Sequence, residues 1–163
     1  MACEFRWQHR VEFAETDMAG IVHFSNYFRY MEMAEHAFLR SLGLSVHADN
    51  GGRAVSWPRV RAECSFQSPL TFEDVVEVRL LVREKTSRTI TYEFQLAKDG
   101  GGPVARGSTT VVCVSIEPQS KRMKALPIPS WIDEKIEVAP DALFASRQES
   151  AAGSGPSRNN QSA

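Results

Sequence analysis

Apolar and polar side chains alternate along the first part of the chain, between Phe5 and Ala14. One side carries Phe5, Trp7, His9, Val11 and Phe13, and the other carries Arg6, Gln8, Arg10 and Glu12. A period of two residues predicts a β-strand with one buried face. His9 lies on the apolar side, where a hydrogen-bonded structural histidine is a better interpretation than a catalytic one.

The spacing of apolar residues changes to three and four after this strand. Tyr27, Met31, Ala34, Phe38 and Leu42 form one apolar stripe. The stripe predicts an amphipathic helix of roughly four to five turns. Ser25 or Asn26 is expected to cap its N-terminus, and Gly43 is expected to end it in a left-handed conformation.

Beyond a turn-rich connection, Ala48 to Arg53, the period returns to two. Alternating apolar positions predict four more strands, over 60–68, 75–83, 90–96 and 104–116. Pro69 ends the first of them because proline cannot donate to a sheet ladder. Short turns at 85–87 and 98–102 indicate hairpins, and hence an antiparallel meander.

The order of these elements predicts the fold class. One helix with an apolar stripe can cover one face of a five-stranded antiparallel sheet, which gives a two-layer α+β domain. We expect a single domain over residues 1–145, with 118–129 trailing over its surface. Residues 146–163 have almost no apolar side chain and are expected to form a disordered tail.

Composition narrows the classes of function. A net charge of -1 over 163 residues gives no bulk attraction to nucleic acid or to an anionic membrane. No apolar run approaches the ~20 residues of a membrane span, and the N-terminus lacks the apolar segment of a signal peptide. Three widely separated cysteines, Cys3, Cys64 and Cys113, imply neither a disulfide framework nor a zinc site. A cytoplasmic protein is expected.

A group of polar residues lies on the predicted helix. Glu32, Glu35 and His36 resemble part of a di-metal carboxylate motif. No second helix is predicted to supply the remaining ligands of such a site. We therefore interpret these residues as a solvated helix face and expect no metal.

The candidate chemistry lies in the loop between the first strand and the helix. Asp17 is followed three residues later by Gly20, and the helix begins shortly afterwards. A helix N-terminus offers unpaired N–H groups and about half a positive charge, which suits a carbonyl that becomes an oxyanion. A carboxylate beside such donors indicates acyl chemistry. An aspartate in a D-x-x-G turn can also serve only to accept backbone hydrogen bonds.

Three segments of this region resemble the 4-hydroxybenzoyl-CoA thioesterase family of hotdog-fold proteins. They are Glu15–Val22, with the sequence ETDMAGIV, Ser25–Tyr27 and Tyr30–Ala34. The resemblance extends over roughly residues 5–116 and implies a hotdog fold, in which an antiparallel sheet wraps a long helix. Members of the family hydrolyse acyl-CoA or related thioesters, usually without metal or bound cofactor. Their sites are built between two subunits of a dimer or tetramer.

The resemblance also implies roles for individual residues. Asp17 matches the family's catalytic carboxylate, and the backbone N–H of Phe24 matches the group that polarises the thioester carbonyl. Arg88 falls where some members bind the CoA phosphates. Here the chain departs from the aryl-CoA enzyme, because Thr86 and Ser87 replace a denser basic cluster.

His23 differs from the pattern of the acyl-chain subgroup. That subgroup often has a histidine seven residues after the aspartate, whereas this chain has Phe24 there and His23 one position earlier. His23 remains a candidate catalytic residue that could equally shape the loop. Gly20 and Tyr27 are expected to contact the substrate.

These observations predict an acyl-CoA thioesterase that releases a free acid and CoA, with Asp17 as nucleophile or general base. No cofactor is expected, and an aryl and a short-chain acyl group fit equally well. The alternative is a hotdog module that binds acyl-CoA without turnover. A homodimer or homotetramer is expected because a bare sheet edge invites pairing with a second copy.

Overall fold

The computed structural model describes residues 1–46, 48–49, 54–117 and 119–145. The described strands are β1 (Glu4–Arg10), β2 (Ala48–Asp49), β3 (Ala54–Val55), β4 (Arg59–Phe66), β5 (Val75–Lys85), β6 (Thr89–Lys98), β7 (Pro103–Val112), β8 (Val114–Ile116) and β9 (Met123–Ala125). The described helices are α1 (Ser25–Ser41), α2 (Ser130–Asp133) and α3 (Ala142–Ala145), and a 3-10 turn covers Phe13–Glu15. Much of the predicted connection at 48–53 and the whole predicted tail at 146–163 lie outside the described residues.

The main sheet has five antiparallel strands in the order β1-β5-β6-β7-β4. Strands β5, β6 and β7 follow one another as hairpins, with Val78 opposite Leu96 and Phe94 opposite Gly107. Strands β1 and β4 form the two edges, where they pair with β5 and β7. This architecture confirms the α+β fold that the residue periodicity predicts.

Helix α1 lies across one face of the sheet. Its inward side chains Tyr30, Met31, Ala34 and Phe38 have no exposed surface. They share one core with side chains of the central strands, including Val78, Leu80, Tyr92 and Phe94. Gly107 on β7 permits this close approach, because a Cβ there would overlap the Met31 sulfur and lie 2.9 Å from the Glu63 carbonyl oxygen.

Two strands differ from their predicted bounds by more than two residues at one end. β1 ends at Arg10 rather than at residue 14, because Val11 hydrogen-bonds to the loop before β5 and the chain then forms the 3-10 turn. The predicted strand at 104–116 is interrupted at Cys113, whose N–H donates to the Arg88 carbonyl instead of to a sheet neighbour. The part beyond Cys113, β8, pairs with β9.

Residues 119–125 and 127 are exposed, in agreement with the prediction that 118–129 runs over the surface, although residue 118 lies outside the described residues. The segment is also attached to the rest of the domain. It contains β9 and is anchored by N–H donation from Leu126 to the Cys113 carbonyl and from Ile128 to the Ser87 carbonyl. Ile128, Ile132 and Ile136 are buried in the same core as α1. Ile128 and the residues that follow the segment therefore extend the core beyond the sheet.

The prediction of a solvated helix face is wrong for Glu35. Its side chain is only 1% exposed, and it accepts a hydrogen bond of 2.8 Å from Arg59 on β4. Arg59 also donates to Glu32 at 3.0 Å. These contacts join α1 to the edge strand β4. In the described part of the chain, no group of three or more His, Cys, Asp or Glu side chains is placed to hold a metal.

The last described residues cross the sheet face that lies away from α1. Arg79 donates to the Leu143 carbonyl at 3.0 Å, and the guanidinium of Arg83 lies 4.3 Å from the centre of the Phe144 ring. Leu81, between these arginines on β5, has no exposed surface. None of the described helices is both long enough and apolar enough to cross a bilayer.

Candidate active site

The predicted acidic loop is a short hydrogen-bonded hairpin between Glu15 and His23. The Asp17 N–H donates to the Ile21 carbonyl, and the His23 N–H donates to the Glu15 carbonyl, both at 2.9 Å. Gly20 turns the chain with a φ of 75°, a left-handed conformation that side chains disfavour. Its N–H donates to the Asp17 carbonyl at 2.9 Å. Backbone hydrogen bonds thus define the shape of the loop.

Asp17 follows the Thr16–Val22 bridge of this hairpin, and its side chain is exposed. Its Oδ1 accepts the Ala19 N–H at 2.8 Å. Its Oδ2 has no hydrogen-bond partner within the described residues. One carboxylate oxygen is therefore held by the loop, while the other is available to a bound molecule.

Helix α1 begins without the predicted side-chain cap. Phe24 occupies the N-cap position with φ -52° and ψ -32°. The Ser25 hydroxyl contacts Nδ1 of His23 at 2.8 Å, and Asn26 Nδ2 donates to the Glu15 carbonyl at 2.8 Å. The prediction that Ser25 or Asn26 caps the helix is wrong because the hairpin occupies both side chains. The Phe24 N–H has no protein partner in the described ranges, which leaves it available at the positive end of the helix dipole.

The Glu15 carboxylate lies between β1 and α1 with 15% of its side chain exposed. Its two oxygens lie 2.9 and 3.0 Å from His9 Nε2. Oε2 also accepts hydrogen bonds from the Tyr30 O–H at 2.9 Å and from the Glu12 N–H at 2.8 Å. Burial acts to raise the pKa of Glu15, but hydrogen bonds from Glu12, His9 and Tyr30 outweigh it and lower that pKa below its usual value. Burial and the neighbouring Glu15 raise the pKa of Tyr30 far above its ordinary value.

An open cleft of about 260 Å³ lies beside the N-terminus of α1. Its lining consists of Val22, Phe24, Tyr27, Phe66, Gln67, Ser68 and Pro69. The rings of Tyr27 and Phe66 meet edge to face, with centres 5.0 Å apart. Burial raises the pKa of Tyr27 above its ordinary value, so its hydroxyl stays neutral. Five of the seven lining residues are aliphatic or aromatic, so the cleft suits an apolar group.

The structure brings most of the predicted site residues to one end of the molecule. Phe24 and Tyr27 line the cleft, whereas Asp17, Gly20 and His23 lie on the adjoining hairpin outside its lining. This arrangement places the carboxylate loop and the available N–H next to the same cavity.

Arg88 is not brought to this end of the chain. It lies exposed in the turn between β5 and β6, while the Asp17 hairpin adjoins the loop at the start of β5. Strand β5 has 11 residues, so the two ends are about 35 Å apart. A single chain cannot place Arg88 beside Asp17.

Sequence reasoning missed two residues of this region. Glu15 appeared only as the first residue of the motif ETDMAGIV, and its role was missed because its partners His9 and Tyr30 come from separate elements. Phe66 appeared only as an apolar position on a strand, yet it is 51% exposed and forms a wall of the cleft. The end of a strand at Pro69 was the one local feature that could have suggested an opening there.

Residues 11–136 match the model of the thioesterase-like superfamily. A curated relative, the 1,4-dihydroxy-2-naphthoyl-CoA hydrolase of Synechococcus sp. (strain CC9311), is 33% identical over 139 residues. That alignment covers 77% of this chain and 87% of the relative.

Two solved structures extend this comparison. A gentisyl-coenzyme A thioesterase is 30% identical, with a TM-score of 0.67, over 80% of this chain and 98% of its own. The 4-hydroxybenzoyl-CoA thioesterase from Pseudomonas sp. strain CBS-3 is 22% identical, with a TM-score of 0.68, over 81% of this chain and 99% of its own. These similarities confirm the hotdog fold.

Proposed function

The chain belongs to the thioesterase-like superfamily, and we propose that it is an acyl-CoA thioesterase that hydrolyses its substrate at the Asp17 hairpin. The observation that carries this proposal is the Phe24 N–H, which has no partner in the described residues and lies beside a carboxylate loop and an aromatic cleft. The carbonyl oxygen of a thioester bound in the cleft accepts a hydrogen bond from this N–H. The negative charge that develops on its oxygen is then stabilised by the helix N-terminus.

Two routes of hydrolysis fit this geometry. In one, the Asp17 carboxylate takes a proton from water while the water oxygen attacks the carbonyl carbon, and CoA leaves as a thiolate. In the other, Asp17 attacks the carbon itself, CoA leaves, and water hydrolyses the resulting anhydride. Mass spectrometry of enzyme that is quenched during turnover distinguishes the two routes. Only the second route adds the mass of the acyl group to the chain.

The aromatic lining of the cleft favours a ring-bearing acyl group. Phe24, Tyr27 and Phe66 supply three rings, and aromatic pairs gain attraction from offset or edge-to-face contacts. The similar proteins act on 1,4-dihydroxy-2-naphthoyl-CoA, gentisyl-CoA and 4-hydroxybenzoyl-CoA, which all carry hydroxylated rings. Aryl-CoA esters are therefore the substrates that we propose first. A panel of aryl and short-chain esters, assayed by thiol release, tests this preference.

A second copy of the chain is part of the proposed site. The edge strand β4 carries exposed apolar side chains, with Val60 64% and Phe66 51% exposed. Antiparallel pairing of two β4 strands places the Phe66 end of one strand beside the Arg59 end of the other. Arg88 lies at the Arg59 end of the sheet. Pairing of this kind is how we propose that Arg88 reaches CoA phosphates near the cleft of a second copy.

The proposed reaction uses no metal or cofactor and takes place in the cytoplasm. Carboxylate, N–H and water suffice for hydrolysis because a thiolate is a good leaving group. The three cysteines are free thiols in this structure, which suits a reducing compartment.

The substitution Asp17→Asn tests the function directly. It preserves size but removes the charge that abstracts a proton or attacks carbon, so kcat should fall by about a hundredfold or more. Asp99→Asn is a matched control, because Asp99 is exposed in the turn between β6 and β7. Near-parental kcat in Asp17→Asn would remove Asp17 from the mechanism. Binding of acyl-CoA by the parent without thiol release would instead identify a binding module.

A further inference from the structure

We propose that Glu15 is a positioning residue that holds the Asp17 hairpin in register with the N-terminus of α1. This inference rests on the proposed thioesterase function. Glu15 lies two residues before Asp17, and its side chain and its backbone are bound to different elements. It thereby connects the loop that carries the carboxylate to the helix that carries the Phe24 N–H.

The side chain of Glu15 attaches the hairpin to the sheet and to the helix. His9 belongs to β1 and Tyr30 to α1, and both lie within 3.0 Å of the Glu15 carboxylate. An ionised carboxylate only accepts hydrogen bonds, so His9 Nε2 and the Tyr30 hydroxyl both donate to it. The His9 ring is also held in place, since it stacks on Trp7 at 5.4 Å with the planes 7° apart.

The backbone of Glu15 closes the hairpin on the start of the helix. Its carbonyl accepts the N–H of His23 at 2.9 Å and Nδ2 of Asn26 at 2.8 Å. His23 immediately precedes Phe24, and Asn26 is in the first turn of α1. A shift of Glu15 would therefore move the Asp17 loop relative to the Phe24 N–H.

The chemistry of the cluster requires a carboxylate rather than any side chain of similar size. His9, Tyr30 and Glu12 all donate to Oε2 of Glu15, and Oε1 lies 3.0 Å from the same His9 nitrogen. A glutamine has a single acceptor oxygen and would turn an N–H₂ group towards at least one of these donors. The resulting mismatch in a largely buried site displaces the side chain.

The test uses Glu15→Gln and Tyr30→Phe, the second of which removes a single hydroxyl and serves if the first does not fold. A displaced catalytic group lowers turnover more than binding. We expect Glu15→Gln to lower kcat by about ten- to a hundredfold, with KM within about twofold of the parent, and Tyr30→Phe to act in the same direction. Glu4→Gln is the matched control, because Glu4 lies on β1 and accepts a 2.7 Å hydrogen bond from Arg79 far from the hairpin. Its kcat should stay within about twofold of the parent.

A double-variant cycle separates positioning from a general loss of stability. If Glu15 acts through Asp17, adding Glu15→Gln to Asp17→Asn should change kcat by less than about threefold. Multiplication of the two single losses would overturn the proposal, as would unchanged kcat in both Glu15→Gln and Tyr30→Phe.

Amide hydrogen exchange keeps this test distinct from the test of the function itself. The His23 N–H should exchange faster in Glu15→Gln and in Tyr30→Phe than in the parent or in Glu4→Gln, because its acceptor moves. Faster exchange in the two variants, together with no thioesterase activity in the parent, would support the Glu15 linkage and refute the proposed function. Unchanged exchange would refute the linkage whatever the activity.

Discussion

The buried Glu35 carboxyl makes the stability of this fold depend on pH in a direction that can be calculated. Burial raises the pKa of Glu35 from 4.5 to about 7, although Arg59 acts to lower it. Because the pKa of Glu35 is higher in the folded state, the contribution of its protonated carboxyl to the free energy of unfolding is fully present below about pH 4.5. It is lost as the pH rises through about 7.

The magnitude follows from the interval between the two pKa values of Glu35. The carboxyl titrates at 4.5 when unfolded and at about 7 when folded. At about 1.4 kcal/mol per pH unit, this interval corresponds to roughly 3 kcal/mol of unfolding free energy. Glu35→Gln keeps the shape of the side chain and removes the titration. Relative to the parent, the variant should gain roughly 3 kcal/mol between pH 4.5 and pH 8.

Urea unfolding, followed by tryptophan fluorescence at a fixed protein concentration across this pH range, measures the difference. Groups that both proteins share cancel, so the difference curve reports Glu35 alone. Glu63→Gln is the matched control, since Glu63 forms an exposed ion pair with Arg61 on the neighbouring stretch of β4. A flat curve for Glu35→Gln would show that Arg59 compensates fully for burial, which would refute the reasoning.

Two further predictions concern the proposed site. Arg88→Ala should raise KM for acyl-CoA by up to about fivefold, because an exposed ion pair contributes about 0.2–1 kcal/mol, and should leave a pantetheine thioester unaffected; equal losses on both substrates would exclude phosphate recognition. Specific activity should fall when dilution dissociates the oligomer, as measured by light scattering during the assay. A monomer of 18.2 kDa that kept full specific activity would contradict a shared site.

The sequence predicted the long helix and the five strands of the main sheet because their periodicity is local. The stripe from Tyr27 to Leu42 indicates α1, and alternation indicates each of the main strands. Long-range partners leave no such pattern. Glu35 occupies a polar position on the helix, and only the arrival of Arg59 from β4 explains its burial.

The residues of the candidate site likewise fall into a local group, which a motif can reveal, and a long-range group, which it cannot. Asp17, Gly20 and the helix start are close in sequence, so a motif could locate them. The wall of the cleft at Phe66–Pro69 depends on where β4 ends beside α1, which is a tertiary property. The capping prediction failed because Ser25 and Asn26 bind His23 and the Glu15 carbonyl instead of the helix.

Two separate stretches of the chain form the walls of the cleft, so the two walls can change independently in evolution. The hairpin that carries Asp17 is closed by its own backbone hydrogen bonds, whereas Phe66 projects from the end of an edge strand with half its surface exposed. Loss of its edge-to-face contact with Tyr27 costs about 0.5–1.5 kcal/mol, a small part of the stability of a domain. Substitutions at residues 66–69 can therefore change which acyl group is bound while the reacting groups stay in place. New substrates become accessible without a change in the catalytic loop.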